Sequence, residues 1–306
     1  MTLSLKKRTT KRLFNEVPLT KNQIREKYTM SPFSVLDARK GVWQKRKKLW
    51  ISLGIESELG RENVKLWAKD SGTKEVSQKI RMVGEVSIFD PVLCELMYSW
   101  FCPKGGSILD PFAGGSVRGI VAGYLNYQYT GIDLSKSQIK ANRVQGKEIL
   151  ETDSKVKWIT GDSANMKKLT GKKHDFIFSC PPYYNLEIYQ NSPKDLSNAK
   201  TYKEFLNHYY KIIKEGVSLL KNNRFACFVV SNIRDKKGFY HNLVGDTIRG
   251  FDKEGALFYN DCVLVTHIGS LSLRIEGQFS KNRKIGKTHQ NVLIFYKGDI
   301  TQIPSF

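Results

Sequence analysis

SILDPFAGGSVRG, residues 107–119, decides how the rest of the chain is read. A short apolar run ends in Asp110. A proline and two glycines follow, and from Val117 the residues suit a helix. This is the pattern of a strand that turns through a glycine-rich loop into a helix. Such a turn lets a ligand approach bare backbone near a helix N-terminus, though a plain tight turn has the same composition. The stretch has no Gly-Lys-Ser/Thr and no GxGxxG, so it does not suit a triphosphate.

Working outward, strand-like runs alternate with helical stretches from residue 85 on. The strands expected are 107–110, 129–133, 155–162, 174–180, 224–230, 261–268 and 291–296. Between them, VRGIVAGYLN, KSQIKANRVQGKEIL, TYKEFLNHYYKIIKEGVSLL and HNLVGDTIRGF suit helices. In the third, Phe205, Tyr209, Ile212, Ile213 and Leu220 recur at helical spacing. Alternation of this kind predicts an α/β fold with a seven-stranded, mostly parallel sheet and helices on both faces. The last two strands are joined by residues 269–290 without a clear helix, which suits an antiparallel C-terminal hairpin with a long basic loop at its tip.

Residues 1–84 differ: they are rich in charge and poor in strand-like runs. They read as a basic, mainly helical extension whose first ~15 residues are disordered, leaving 85–306 as the main domain. RKGVWQKRKKLWISLGI places Val42, Trp43, Leu49, Trp50 and Leu53 on one helical face, but Arg46 falls on the same arc. Over the whole chain, 50 Lys and Arg face 29 Asp and Glu, a net charge of +21. Residues 1–84 carry +12 of this. A field of that sign attracts polyanions, with nucleic acid the natural partner, DNA and RNA alike. The five cysteines contain no CxxC pair, and neither a disulfide framework nor a metal site is expected. No run approaches the ~18–20 apolar residues of a membrane span, and the N-terminus lacks the apolar core of a secretory signal. A cytoplasmic location and no membrane partner are expected.

Two further strand ends carry acids. Asp133 closes YTGID, 23 residues after Asp110. That spacing suits a carboxylate reaching the ribose hydroxyls of an adenosyl cofactor. Asp133 or Ser135 as a helix cap is the competing reading. Asp162 closes WITGD, where it or a neighbouring amide could meet an adenine amine, or simply form an Asp turn. The fourth strand ends in FIFSCPPYYNLEIY, residues 176–189: an apolar run, Cys180, a rigid Pro181-Pro182 elbow, then Tyr183 and Tyr184.

With DPFAGG, the two acids and SCPPYY in this order, the chain resembles the S-adenosylmethionine-dependent DNA amino-methyltransferases, which methylate adenine N6 or cytosine N4. The resemblance runs from about Ser87 to Gly298. It implies a Rossmann-like methyltransferase fold, with Asp110, Pro111, Phe112, Gly114, Asp133 and Asp162 holding the cofactor. SIFDPVLCELMYSWFCP resembles the family's additional cofactor-binding helix, which adds Phe89 and Asp90. Cys180, Pro181, Pro182 and Tyr183 take the catalytic positions. The elbow fixes the Pro181 carbonyl as an acceptor for the amine, and Tyr183 gives the flipped base a ring face. The family has Asp, Asn or Ser where this chain has Cys180, and a thiol is a weak acceptor. The resemblance further implies double-stranded DNA as partner, in a restriction–modification or phage setting. RNA amine methylation, or an inactive methyltransferase-fold DNA-binding protein, are the alternatives. Tyr184, Arg234, Arg274, Lys281, Arg283 and Lys284 are the expected nucleic-acid contacts.

Overall fold

The structure, a computed structural model, describes residues 29–56, 65–66, 89–184, 187–188 and 194–304. The first ~15 residues, expected to be disordered, and the expected boundary between residues 84 and 85 lie outside the described residues.

Eight strands form one sheet: β1 (Val35–Asp37), β2 (Ser107–Asp110), β3 (Gln128–Asp133), β4 (Val156–Thr160), β5 (His174–Ser179), β6 (Leu220–Val230), β7 (Leu257–Val265) and β8 (His289–Lys297). Their order across the sheet is β1-β7-β8-β6-β5-β2-β3-β4. From β4 to β6 all neighbours run parallel. β8 is antiparallel to both β6 and β7. This is a doubly wound, Rossmann-like sheet with the expected C-terminal hairpin. β5, at the centre, is buried along its whole length, as a parallel strand covered on both faces must be.

The eighth strand corrects the expected count of seven. β1 comes from the basic extension and lies parallel on β7, pairing Val35 with Val263 and Asp37 with Val265. Three residues are too few to show an alternating pattern, which is why the sequence conceals it.

Helices α1 (Gly41–Ile51), α2 (Pro91–Phe101), α3 (Val117–Tyr124) and α4 (Lys136–Ile149) alternate with the early strands. α5 (Met166–Thr170), α6 (Tyr202–Leu219), α7 (Leu243–Lys253) and α8 (Ser272–Asn282) follow. One apolar cluster joins α1, α2 and α3 to one face of the sheet. A second joins α6 and α7 to the other. Caps fix the starts: Asp90 accepts from the Val92 amide ahead of α2, with Pro91 in its first turn. Ser135 accepts from the Gln138 amide ahead of α4.

α8 is the second correction, since residues 269–290 were expected to hold no helix. Its residues carry little apolar pattern because, among the described residues, the helix is mostly exposed. Its contact is local, where Leu271 and Ile275 close over Gly286.

α1 forms as expected, but Val42 is half exposed and only Trp43 and Trp50 of its apolar set are buried. Arg46 is on the inner face because Glu95 of α2 is buried beneath it. Its Nε donates to Glu95 Oε2 at 2.6 Å, and its Nη2 also pairs with that carboxylate. The Trp50 indole donates to the same oxygen at 3.0 Å, and the Trp43 indole to Asp90 at 3.1 Å. Residues 35–56 therefore share the sheet and core of the rest.

Candidate active site

The C-terminal ends of β2 to β6 set the site, because in an open parallel sheet ligands bind beyond the carboxyl ends of the strands. The register brings the rest of the chemistry to the same edge. Val230 pairs with Asn291, and Val265 with His289, so the β7–β8 connection emerges there.

The glycine-rich loop is held from below by a closed polar network. Asp110 is fully buried. It accepts from Arg118 Nε at 2.6 Å, Tyr129 Oη at 2.7 Å, Ser179 Oγ at 2.6 Å and the Phe112 amide at 3.1 Å. Arg118, buried itself, also donates to the carbonyls of Phe112 and Ala113. Burial pulls the Arg118 guanidinium down, and the Asp110 charge more than offsets it, so its pKa stands above the usual range. Asp110 thus shapes the loop from inside and does not reach the cleft. Arg118 lies 4.6 Å from the Phe89 ring centroid, so Phe89 covers the network from above.

Asp133 is half-buried and takes two backbone donors, Gly114 N–H at 2.9 Å and Ser135 N–H at 2.8 Å. Gly114 stands at φ +49°, a conformation that favours glycine, which lets the loop curl toward Asp133. Asn142 of α4 donates to the Gly114 carbonyl at 2.8 Å. Asp162 accepts from the Ala164 amide at 2.9 Å, so the Asp-turn reading of this residue is realised. Ser163 beside it donates to the Pro111 carbonyl at 2.6 Å. Three strand ends and one loop are thereby tied into a single cradle. Asp90 caps α2, takes the Trp43 indole and pairs with Lys47 at 3.2 Å, which turns it toward α1.

Cys180 follows the buried Ser179 directly and is half-buried. Its Sγ lies 3.9 Å from Tyr183 Oη. Tyr183 packs against the second core cluster, and its hydroxyl accepts from Gln290 Nε2 of β8 at 2.9 Å. The elbow therefore holds a tyrosine ring in a fixed place between β5 and β8. Tyr184 departs from expectation. It adopts φ +40° and is 8% exposed, with its ring against Tyr202, Phe205 and His241. An aromatic ring has more to gain from that core than from water, so it is not placed to contact a nucleic acid.

The expected basic contacts lie on the rim. Arg234 sits in a small hairpin that pairs Ile233–Arg234 with Tyr240–His241, and stacks 4.0 Å from the Tyr240 ring centroid. Lys281 lies in the last turn of α8, and Arg283 caps it in a left-handed turn over Phe279. Lys284 reaches the hairpin at Gly238. The Arg274 side chain lies outside the described residues.

Four residues of the site escaped the sequence reading: Arg118, Ser179, Gln290 and His241. Arg118 had a signal, as a lone cation in a helix of small and apolar residues eight positions after Asp110. The other three had none: the sheet register brings Ser179 and Gln290 to this edge, and the small hairpin sets His241 against Tyr184 and Tyr202.

No family model matches the chain, and no curated protein does. Solved structures do resemble it. They include TrmN from Thermus thermophilus (13% identity, 72% of this chain and 53% of that one, TM-score 0.46). A SAM-dependent methyltransferase from Agrobacterium tumefaciens is similar at 14% identity over 70% of this chain and 64% of that one, TM-score 0.47. So is magnesium protoporphyrin IX methyltransferase from Synechocystis PCC 6803 with bound SAM (12% identity, 75% and 86% covered, TM-score 0.44). This chain spans about half the length of the first of these. At such identities and scores the likenesses say nothing of substrate.

Proposed function

We propose that the protein transfers a methyl group from S-adenosylmethionine to the exocyclic amine of a DNA base, cytosine N4 or adenine N6. The observation that carries this is the Cys180–Tyr183 elbow at the end of β5, beside the glycine-rich cradle and pinned to β8 through Tyr183 and Gln290. The cradle suits an adenosyl group: Gly114 opens the backbone, Asp133 faces the position of ribose hydroxyls, and Asp162 with its turn meets the adenine edge. Phe89, Pro111 and Phe112 wall it, while Asp110 and Asp90 position it. The bound cofactor supplies a methyl group already activated on a sulfonium.

An exocyclic amine is a poor nucleophile because its lone pair is delocalised into the ring. The elbow answers this by placing the Pro181 carbonyl to accept from the amine N–H, which pushes the lone pair out toward the methyl. Pro182 has no N–H to compete for that carbonyl locally. Tyr183 offers its ring to the flipped base. The excess of cations, strongest in residues 1–84, supports a nucleic-acid substrate. Recognition then falls to that basic extension, to residues 186–200 and to the 270–290 segment.

The test is to incubate the protein with labelled cofactor and with duplex DNA or RNA, digest the products and identify the nucleosides by mass spectrometry. N4-methylcytosine or N6-methyladenine in DNA is the expected result. A methylated base in RNA alone overturns the DNA assignment.

A further inference from the structure

Residues 231–242 leave the end of β6 and build a hairpin that is bonded more tightly than its exposure requires. Asp235 N–H donates to the Phe239 carbonyl at 2.8 Å, and Phe239 N–H donates back to Asp235 Oδ1 at 2.8 Å. Gly238 N–H donates to the Asp235 carbonyl at 3.0 Å, and Arg234 Nη1 to the Gly238 carbonyl at 2.8 Å. Gly238 stands at φ +96°, and a Cβ there would lie 2.8 Å from Cε and Nζ of Lys284. The tip is therefore held from within and buttressed by the segment after α8. Yet it displays Phe239 at 73% exposure.

The same rim displays Leu273 at 79% and Ile285 at 74%, so three of the four apolar side chains above 70% among the described residues flank one site. A folding chain gains nothing by fixing a phenylalanine in water. The base of the hairpin explains the placement. His241, two residues on, stacks on Tyr202 at 4.1 Å and meets the edge of Tyr184 at 5.7 Å. Tyr184 directly follows the base-stacking Tyr183. Phe239 is thus mounted on a rigid arm rooted beside the elbow, among Arg234, Lys236, Lys237 and Lys284.

We infer that Phe239 is the wedge that enters duplex DNA and fills the gap left by the flipped base. This rests on the proposed function. Extruding a base costs unstacking and unpairing, and an apolar side chain inserted at the step recovers part of that cost. A rigid arm suits this, since a floppy one would spend the gain on its own ordering. The cations alongside hold the phosphates on either side of the gap.

The test compares methyl transfer to two duplexes carrying the protein's own site, one fully paired and one with an abasic residue opposite the target base. In the second the target is already unpaired, so a wedge is dispensable. Phe239→Ala is expected to slow transfer to the paired duplex by on the order of tenfold, equivalent to about 1.4 kcal/mol. Transfer to the abasic-opposed duplex should change by less than about twofold. Phe239→Leu should recover part of the loss. Equal losses on both duplexes, or no loss on either, overturn the wedge. A wild-type protein that methylates neither overturns the proposed function as well, which separates the two failures. The side chain is exposed, so the thermal midpoint of the variant should match that of the wild type.

Discussion

The two halves of the candidate site handle polar and apolar groups in opposite ways. Around the glycine-rich loop, the buried carboxylate of Asp110 has four donors, and Arg118 spends its donors on Asp110 and two carbonyls. On the rim, the hairpin and α8 hold out Phe239, Leu273 and Ile285 beside a row of cations. The first half is satisfied before any ligand arrives, so its shape is fixed in advance. The second carries exposed groups that a polyanion with stacked bases would satisfy. Under the proposed function, preorganisation belongs on the cofactor side and unsatisfied surface on the side that would meet nucleic acid.

The contrast breaks most forcefully at Arg118. Arg118→Met leaves Asp110 charged and buried without its cation, which should cost about 3–5 kcal/mol of folding stability in urea. Adding Asp110→Asn should restore part of the loss, because the remaining donors can serve a neutral amide oxygen. A loss below about 1 kcal/mol for the single variant would mean that the network does not hold the loop.

Legibility in the sequence follows the same contrast. The strands from 107 onward, and the long helices between them, are written as apolar runs of the right period where the sheet buries them. β7, exposed from Leu257 to Asp261, is legible only in its inner half, and the five-residue α5 is too short to show a period. β1 and α8 are not legible: one is too short for a pattern and the other is mostly exposed among the described residues. DPFAGG, Asp133 and PPY are legible because each sits where a strand ends and the chain must turn. Tyr184 shows the limit. Beside Tyr183 it reads as a second exposed aromatic, and only the left-handed backbone at Tyr184 sends its ring into the core. Arg46 shows it in reverse. It weakens the helical pattern on paper, yet its ion pair with Glu95 is what docks α1.

At the opposite end of β5 the scaffold leaves a polar group unsatisfied. His174 is fully buried, and among the described residues neither ring nitrogen has a hydrogen-bond partner. Burial, with Lys172 and Lys221 nearby and Asp175 only partly opposing them, lowers its pKa to about 4. Below its ordinary value of 6.5 the unfolded chain takes up the proton and the folded one does not. Stability is therefore full above pH 6.5 and drains as pH falls toward about 4, by on the order of 3 kcal/mol. Asp175, lowered to about 2, adds its own loss only below its ordinary 3.8. His174→Leu should flatten the urea midpoint between pH 6.5 and about 4 while leaving methyl transfer unchanged. A slope retained in that window would place the titration elsewhere.

Tyr183→Ala tests the point where the halves meet. If Tyr183 stacks the base as proposed, losing that contact is worth about 1–3 kcal/mol, and transfer should fall accordingly while cofactor affinity, measured by calorimetry, stays put. Gln290→Leu removes the hydrogen bond from β8 to the Tyr183 hydroxyl but keeps the ring, so its effect on transfer should be smaller. Equal effects would mean that the hydroxyl, rather than the ring face, is what the substrate meets.

The smallest effect at working salt is expected from the rim cations, and it is read as a slope. Lys281 and Arg283 flank the end of α8, clear of the Asp110 network. If they neutralise phosphates, each releases about one counterion on binding. Lys281→Ala with Arg283→Ala should then reduce the slope of log K against log salt by about 2, measured by anisotropy between roughly 50 and 200 mM. Cofactor affinity should not move, because the cradle is bonded to itself. A slope unchanged in the double variant would mean that these cations face only water. The proposed DNA path would then have to run on the other side of the hairpin, past Lys236 and Lys237.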